Sequence, residues 1–383
     1  MFARHLLRGS VPPVGEPILF HGESPPLEKL FPQGYGYQLL NSGTAALAMA
    51  LAIAAGRSGR SHGEVILPAY GCPDLIAAAD FVGLEPVLVD IQGENSRYNL
   101  DRLDAAIGEN TVAIVAVNFL GIHENLAALR SLVEHRAITL IEDNAQFFPI
   151  CSSDEQMTGD LIVLSFGRGK PISQVGGGAL LANADFIEDL DLYTARLGYE
   201  RQSKSRWRLK ARLFNLVLQP ALYRLMKLLP FLHIGETKYH QLEAALRMDT
   251  WRHYYLAMNI RHYQKRQRDL QRTLAKLLKS CPGGIVDLPN ATACSTNVLL
   301  RYPLLCDTQQ RRDRLYQYLL DEGIGASLMY QKPLAQIEGV PHQFSQGYPG
   351  ADSFAARVLT LPLTSYVTET HVEAIASGLR QSI

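Results

Sequence analysis

The chain has no excess of either charge: 37 lysines and arginines balance 37 aspartates and glutamates over 383 residues. Nucleic-acid binding needs a basic footprint, so nothing in the overall charge points to it. Cysteine is sparse and scattered. Cys72, Cys151, Cys281, Cys294 and Cys306 form no CxxC pair. That argues against a disulfide framework or a cysteine-ligated zinc site and fits a reducing cytoplasm. The opening "MFARHLLRGSVPPVGEP" has too short an apolar stretch for a signal peptide. Internal repeats and low-complexity segments are absent as well. What is present is a composition 47% hydrophobic and 19% charged, that of a soluble globular protein long enough for a large domain and a smaller one.

The first half alternates strand-like and helix-like segments. Aliphatic or β-branched runs stand at 64–67, 86–90, 112–117, 138–142, 161–166 and 178–182, with helical stretches such as 44–55, 73–82 and 123–135 between several of them. Apolar strands separated by helices predict an α/β fold, a mostly parallel sheet covered on both faces. A different texture begins near 240. One long helical pattern runs through 241–280; then come "NVLLRYP", a helix with Asp307 as N-cap and Gly323 as C-cap, "IGASLMY", and a last helix after Thr370. The expected division is a large domain over 1–240 and, over 241–383, a long linking helix with a small α+β domain.

Ligands of open parallel sheets bind beyond the carboxyl ends of the strands. "YQLL" is followed by Asn41, Ser42, Gly43 and Thr44 and then the helix "AALAMALAIAA", an entry that favours an anion such as phosphate. "EVIL" leads to Tyr70, "VAIVAV" to Asn118, "ITLIE" to Asp143 and Gln146, and "LIVLSF" to Ser165 and then Lys170. By itself Lys170 in "SFGRGK" could serve a phosphate loop, join a cofactor covalently, or be a solvated turn residue. A Walker loop, G-x-x-x-x-G-K-[ST], fails here, because Pro171 follows the lysine and Leu164 stands where the first glycine belongs. A lysine, a carboxylate and an anion cradle on one rim suit pyridoxal 5'-phosphate. The lysine joins it, the carboxylate keeps its pyridine nitrogen protonated, and the cradle takes its phosphate.

"NSGTAALAMAL", "VILPAY", "PVLVDI", "IEDNAQ", "SFGRGK" and "GGGALL" fall in an order similar to the DegT/DnrJ/EryC1/StrS family, fold-type I pyridoxal-phosphate enzymes that mostly aminate nucleotide-linked keto sugars. "LLDEGIGASLMYQKPL" and "ARVLTLPLTSYVTETHVEAIASGL" resemble that family's small domain, and the likeness covers most of 37–383 with a gap near 190–240. The resemblance implies a seven-stranded sheet and a role for each rim residue. Lys170 would be the Schiff-base lysine and proton carrier, and Asp143 the partner of the pyridine nitrogen. Gln146 would bond the cofactor's ring oxygen, while Ser42, Gly43, Thr44 and Ser165 hold the phosphate, with Tyr70, Cys72 and Asn118 around the cofactor. It also implies a homodimer with sites at the interface, an amino-acid donor, most often glutamate, and a keto-sugar acceptor.

The chain departs from the family in places. Relatives carry an aromatic residue, stacked on the cofactor, where Cys72 stands; their "GYNYR" aligns with a segment holding Glu236 and Thr237; and the segment before 37 lacks their helix and glycine-proline turn. Arg168 and Tyr330 are the candidate substrate contacts, Arg168 by bidentate binding of an acidic group. The segment 201–235 carries Arg201, Lys204, Arg206, Arg208, Lys210, Arg212, Arg224 and Lys227 and no acidic residue. Its apolar stretch 213–223 is too short to span a bilayer. It fits either a peripheral contact with anionic lipid, at the inner face of the membrane, or a helical insertion packed over the active-site mouth or a partner subunit. Three functions stay open: keto-sugar amination for polysaccharide or glycan synthesis, another pyridoxal-phosphate reaction such as elimination or sulfur transfer through Cys72, and a non-catalytic relative.

Overall fold

The computed structural model describes residues 9–60, 62–148, 158–227, 237–280 and 283–381. Seven strands form the main sheet: β1 (Gly36–Leu40), β2 (Glu64–Pro68), β3 (Glu85–Val89), β4 (Thr111–Val117), β5 (Thr139–Asp143), β6 (Leu161–Ser165) and β7 (Gly178–Ala182). Their spatial order is β1-β7-β6-β5-β4-β2-β3. Strands β2 to β6 pair in parallel, while β7 runs antiparallel to both β6 and β1. The mostly parallel α/β sheet expected from the sequence is thus present. β5 and β7 are buried along their whole length, since both faces are covered, and for that reason they are apolar runs rather than alternations.

Five helices belong to this part: α1 (Gly43–Ser58), α2 (Asp74–Val82), α3 (Leu100–Ala106), α4 (Leu126–Val133) and α5 (Ile187–Ala195). α1 begins at Ser42, whose hydroxyl accepts from the Ala45 amide at 3.0 Å, and stops at Gly59 in the left-handed region (φ 63). Its alanines let it lie close against β6 and β7.

The insertion forms α6 (Lys204–Val217) and α7 (Pro220–Lys227). Its inner face is packed on protein. Trp207 is fully buried against Phe20, Trp251 and Tyr255, and its Nε1 donates to the Gln174 carbonyl at 2.7 Å. Asn215 also exchanges two hydrogen bonds with the backbone of Ile18. Leu209, Leu213, Leu216 and Leu225 face outward. Among the described residues no helix is long and apolar enough to cross a membrane. Residues 228–235 and Glu236 lie outside the described residues.

The long helix expected over 241–280 is not one helix. Residues 246–248 run extended along the free edge of β1, where the Met248 amide donates to Leu39 O (2.9 Å) and the Asn41 amide to Leu246 O (2.9 Å). An unpaired strand edge offers these backbone groups partners, and it outcompetes helical propensity there. Helix starts at α8 (Arg252–Gln264), breaks at the basic run 265–268, and resumes as α9 (Asp269–Lys279). The break has a packing cause: α8 buries Leu256 and Ile260 against the main sheet, and α9 buries Leu274 and Leu278 against a second core.

That core covers a three-stranded antiparallel sheet in the order β10-β9-β8. The remaining elements are β8 (Ile285–Asp287), α10 (Leu288–Ala291), β9 (Arg301–Cys306), α11 (Gln309–Asp321), α12 (Pro349–Arg357), β10 (Val358–Pro362) and α13 (Glu369–Gln381). The cap of α11 is Thr308, not Asp307. Its hydroxyl accepts from the Arg311 amide at 3.2 Å, leaving Asp307 to pair with the Arg311 side chain. Gly323 sits one residue beyond the C-cap Glu322. "IGASLMY" forms no strand; only Ser327 bridges, to Thr360.

Candidate active site

The carboxyl ends of β2, β5 and β6 and the first turn of α1 surround a cavity enclosing about 340 Å³, part of it open to solvent. Lys170, Asp143, Ser165, Gly43, Thr44 and Cys72 all line it. Chain segments as far apart as residues 43 and 170 meet here because the crossover helices return each strand in parallel, with its end on the same rim.

The anion cradle depends on a close approach. A Cβ on Gly43 would stand 2.7 Å from Ser165 Cβ, so only glycine lets the α1 N-terminus touch the end of β6. The positive end of the α1 dipole, the Thr44 hydroxyl and the Ser165 hydroxyl then face one space. Ser42 does not line the cavity; its oxygen caps α1 instead.

Asp143 is the last residue of β5 and is buried. Its Oδ1 accepts from the Ala145 amide at 2.8 Å. Burial raises its pKa above the ordinary carboxylate value; the Ala145 hydrogen bond and the Lys170 cation oppose the rise, and the Asp74 charge adds to it. A cationic ring nitrogen beside this carboxylate would relieve that penalty. Gln146, three residues on, is not among the residues that line the cavity; its Oε1 is buried with no partner among the described residues. Lys170 makes no hydrogen bond among the described residues, and the left-handed Gly169 (φ 68) turns the chain just before it. These features fit pyridoxal phosphate.

Other expected site residues fall elsewhere. Tyr70 does not line the cavity; it is 1% exposed within a cluster of Phe119, Tyr330 and Phe354, and its hydroxyl donates to the Tyr330 carbonyl at 2.8 Å. Asn118 is turned inward: its Nδ2 donates to Asn144 Oδ1 at 2.5 Å and its Oδ1 accepts from the Glu124 amide at 2.9 Å. Arg168 is exposed and does not line the cavity. Tyr330 does not line the cavity; its phenol interacts with the Cys72 thiol. Burial pushes that thiol up to about 12, so it is protonated at neutral pH.

Asp74 was missed by the sequence reading. It lies at the first turn of α2, two residues past Cys72, and lines the cavity with Leu75, Leu47, Val163 and Ala145. Following the chain beyond the end of β2 into Pro73 and the helix it starts would have found it. No cluster of three potential metal ligands occurs among the described residues.

The sequence model of the DegT/DnrJ/EryC1/StrS aminotransferase family matches residues 38–380. UDP-N-acetyl-3-dehydro-α-D-glucosamine 3-aminotransferase of Acidithiobacillus ferrooxidans is 24% identical over 346 residues, covering 89% of this chain and 83% of that one. UDP-2-acetamido-2-deoxy-3-oxo-D-glucuronate aminotransferase of Pseudomonas aeruginosa is 27% identical over 323 residues, 82% and 78% of the two chains. The solved structure of NtdA from Bacillus subtilis with bound cofactor PMP shares the fold, with a TM-score of 0.66 at 19% identity over 90% of this chain and 73% of that one. The chain belongs to the DegT/DnrJ/EryC1/StrS aminotransferase family and is a pyridoxal-phosphate-dependent aminotransferase.

Proposed function

We propose that the enzyme transfers an amino group from glutamate to a nucleotide-linked keto sugar, for polysaccharide or glycan synthesis. The observation that carries the reading is the convergence of Lys170, Asp143 and the Gly43–Thr44–Ser165 cradle in one cavity, together with relatives named for UDP-sugar amination. The bound cofactor supplies an electron sink for a substrate carbanion. Asp143 holds the proton on the ring nitrogen, which keeps that sink strong. Thr44, Ser165 and the α1 N-terminus bind the phosphate, and Gln146 takes the ring oxygen. Lys170, which makes no hydrogen bond among the described residues, would carry the proton to and from the substrate carbon.

The test is an absorption spectrum of the purified holoenzyme. Its visible band should bleach with glutamate, and Lys170→Ala should remove both band and turnover, the latter by at least about 10³-fold. A wild-type band that no amino donor bleaches refutes the reading. The sulfur-transfer alternative requires a thiolate, which desolvation of the half-buried Cys72 thiol disfavours. Cys72→Ser should therefore leave turnover within a few-fold of wild type.

The same reading takes in a cytoplasmic homodimer, with 1–240 and 241–383 as its two domains. The outward leucines of α6, flanked by Lys204, Arg206 and Lys210, support a peripheral contact with anionic lipid. Vesicles with and without phosphatidylglycerol test it: sedimentation with neither sinks that part.

A further inference from the structure

Lys170 lines the cavity, yet no hydrogen bond or ion pair among the described residues holds its ammonium. A lysine on a flexible four-carbon stem then stands only where its backbone puts it. That backbone is the loop 166–177 between β6 and β7. Its neck is closed from within: the Phe166 amide donates to the Gly177 carbonyl at 2.8 Å, and the Gln174 amide to the Phe166 carbonyl at 2.7 Å. The far part of the loop is under strain. Val175 is held at φ 57, a left-handed conformation that a β-branched residue adopts only at a cost. Such strain persists only where the surroundings enforce it.

Two elements that do not line the cavity supply that enforcement. Trp207 of α6 is fully buried and donates from Nε1 to the Gln174 carbonyl at 2.7 Å, and Val175 packs against the same core cluster. From the N-terminal segment 10–18, Val14 lies against the turn just before Lys170. A Cβ on the left-handed Gly169 (φ 68) would stand 3.1 Å from Val14 Cγ1. The same segment is bound to the insertion along its length. The Ser10 amide donates to the Pro220 carbonyl at 2.9 Å, Gly15 packs on Leu218 and Phe214, and Ile18 exchanges its two hydrogen bonds with Asn215. The Val11 amide donates to the Gly323 carbonyl at 2.8 Å, which seats the segment on the small domain as well. Helix and segment thus brace each other and grip the lysine loop at two points, Gln174–Val175 and Gly169.

We propose that α6 and residues 10–18 form a bracket that positions Lys170 for its bond to the cofactor, with Trp207 and Val14 as the positioning residues. The proposal rests on the reading of Lys170 as the residue that joins the cofactor. Neither Trp207 nor Val14 lines the cavity, so both act through the loop. A misplacement of about 1 Å at a reacting group can cost on the order of 100-fold, even when its cause lies far from the chemistry. Packing that only covered the core would stabilise the fold without favouring one ligand over another, and this difference separates the two roles by experiment.

Equilibrium dialysis of the apoprotein with pyridoxal 5'-phosphate and with pyridoxine 5'-phosphate tests the bracket apart from turnover. The first carries an aldehyde, with which a lysine amine condenses with loss of water; the second carries an alcohol there and does not. Wild type should prefer the aldehyde, and Lys170→Ala should abolish that preference. Trp207→Phe keeps a ring and removes the N–H. It should cut the preference at least about tenfold, with pyridoxine phosphate affinity unchanged. Val14→Ala should cut it at least about threefold, and it decides alone if Trp207→Phe does not fold. In the Lys170→Ala background neither substitution should change either affinity. Equal weakening of both ligands would make the bracket merely structural and overturn the proposal, as would an unchanged preference in the variants that fold. A preference that depends on Trp207, in a protein whose visible band no amino donor bleaches, supports the bracket and refutes the aminotransferase reading alone. Bleaching by glutamate with a Trp207-independent preference refutes the bracket alone.

Discussion

Single residues divide by which way they point. Lys170, Asp143, Thr44 and Ser165 were legible because each follows a strand end, and their side chains face the cavity. Tyr70 and Asn118 also follow strand ends, yet one packs in an aromatic cluster and the other in a buried amide network. Position past a strand names the rim but not the side-chain direction, which neighbouring side chains decide. Just behind that network lies His123, with Nε2 3.0 Å from Asn297 Nδ2 and its ring edge-on to Phe147. Burial first, and the Arg97 cation second, lower its pKa from 6.5 to about 4. Between those two values the unfolded chain holds the proton and the folded chain does not. The contribution is therefore complete above pH 6.5 and lost as pH falls toward 4, in total about 3 kcal/mol at most. Denaturant unfolding of wild type and His123→Gln at pH 7 and 4 checks this: the advantage of wild type should shrink across that interval, and a constant difference refutes it.

At the scale of elements, the strands of the main sheet were readable because both-face burial demands unbroken apolar runs. The segment 241–280 was not, because its helical pattern does not register the free edge of β1 that captures residues 246–248. The insertion shows a related limit. Its basic residues were plain in the sequence, but Trp207 anchors α6 to α8 and to the glycine-rich turn after Lys170 through the Gln174 carbonyl. Trp207→Ala should cost about 3–5 kcal/mol by leaving a cavity, and more if the Gln174 carbonyl stays dry. Urea unfolding measures it. A loss below about 1 kcal/mol would mean α6 is not anchored by this ring.

For the whole molecule, a cofactor bound in the proposed cavity would join α1, β5 and β6, elements that meet only in the folded chain. It binds the native state and not the unfolded one, so removing it lowers stability by mass action. At a free concentration of 100 times Kd the effect is about 2.7 kcal/mol. Differential scanning calorimetry of apo and reconstituted protein should show a Tm that rises with cofactor concentration, and a Tm independent of it would argue that the cavity binds something else.

The sequence by itself determined the strands of the main sheet, the rim on which they end, and a lysine, a carboxylate and a glycine that line one cavity there. These follow from local patterns: apolar runs, helix entries, and the backbone freedom of Gly43. Only the tertiary structure decided that Asp74 joins the site and that Asn118 leaves it. The physical reason is that burial and charge pairing depend on residues distant in the chain, and no local pattern carries that information.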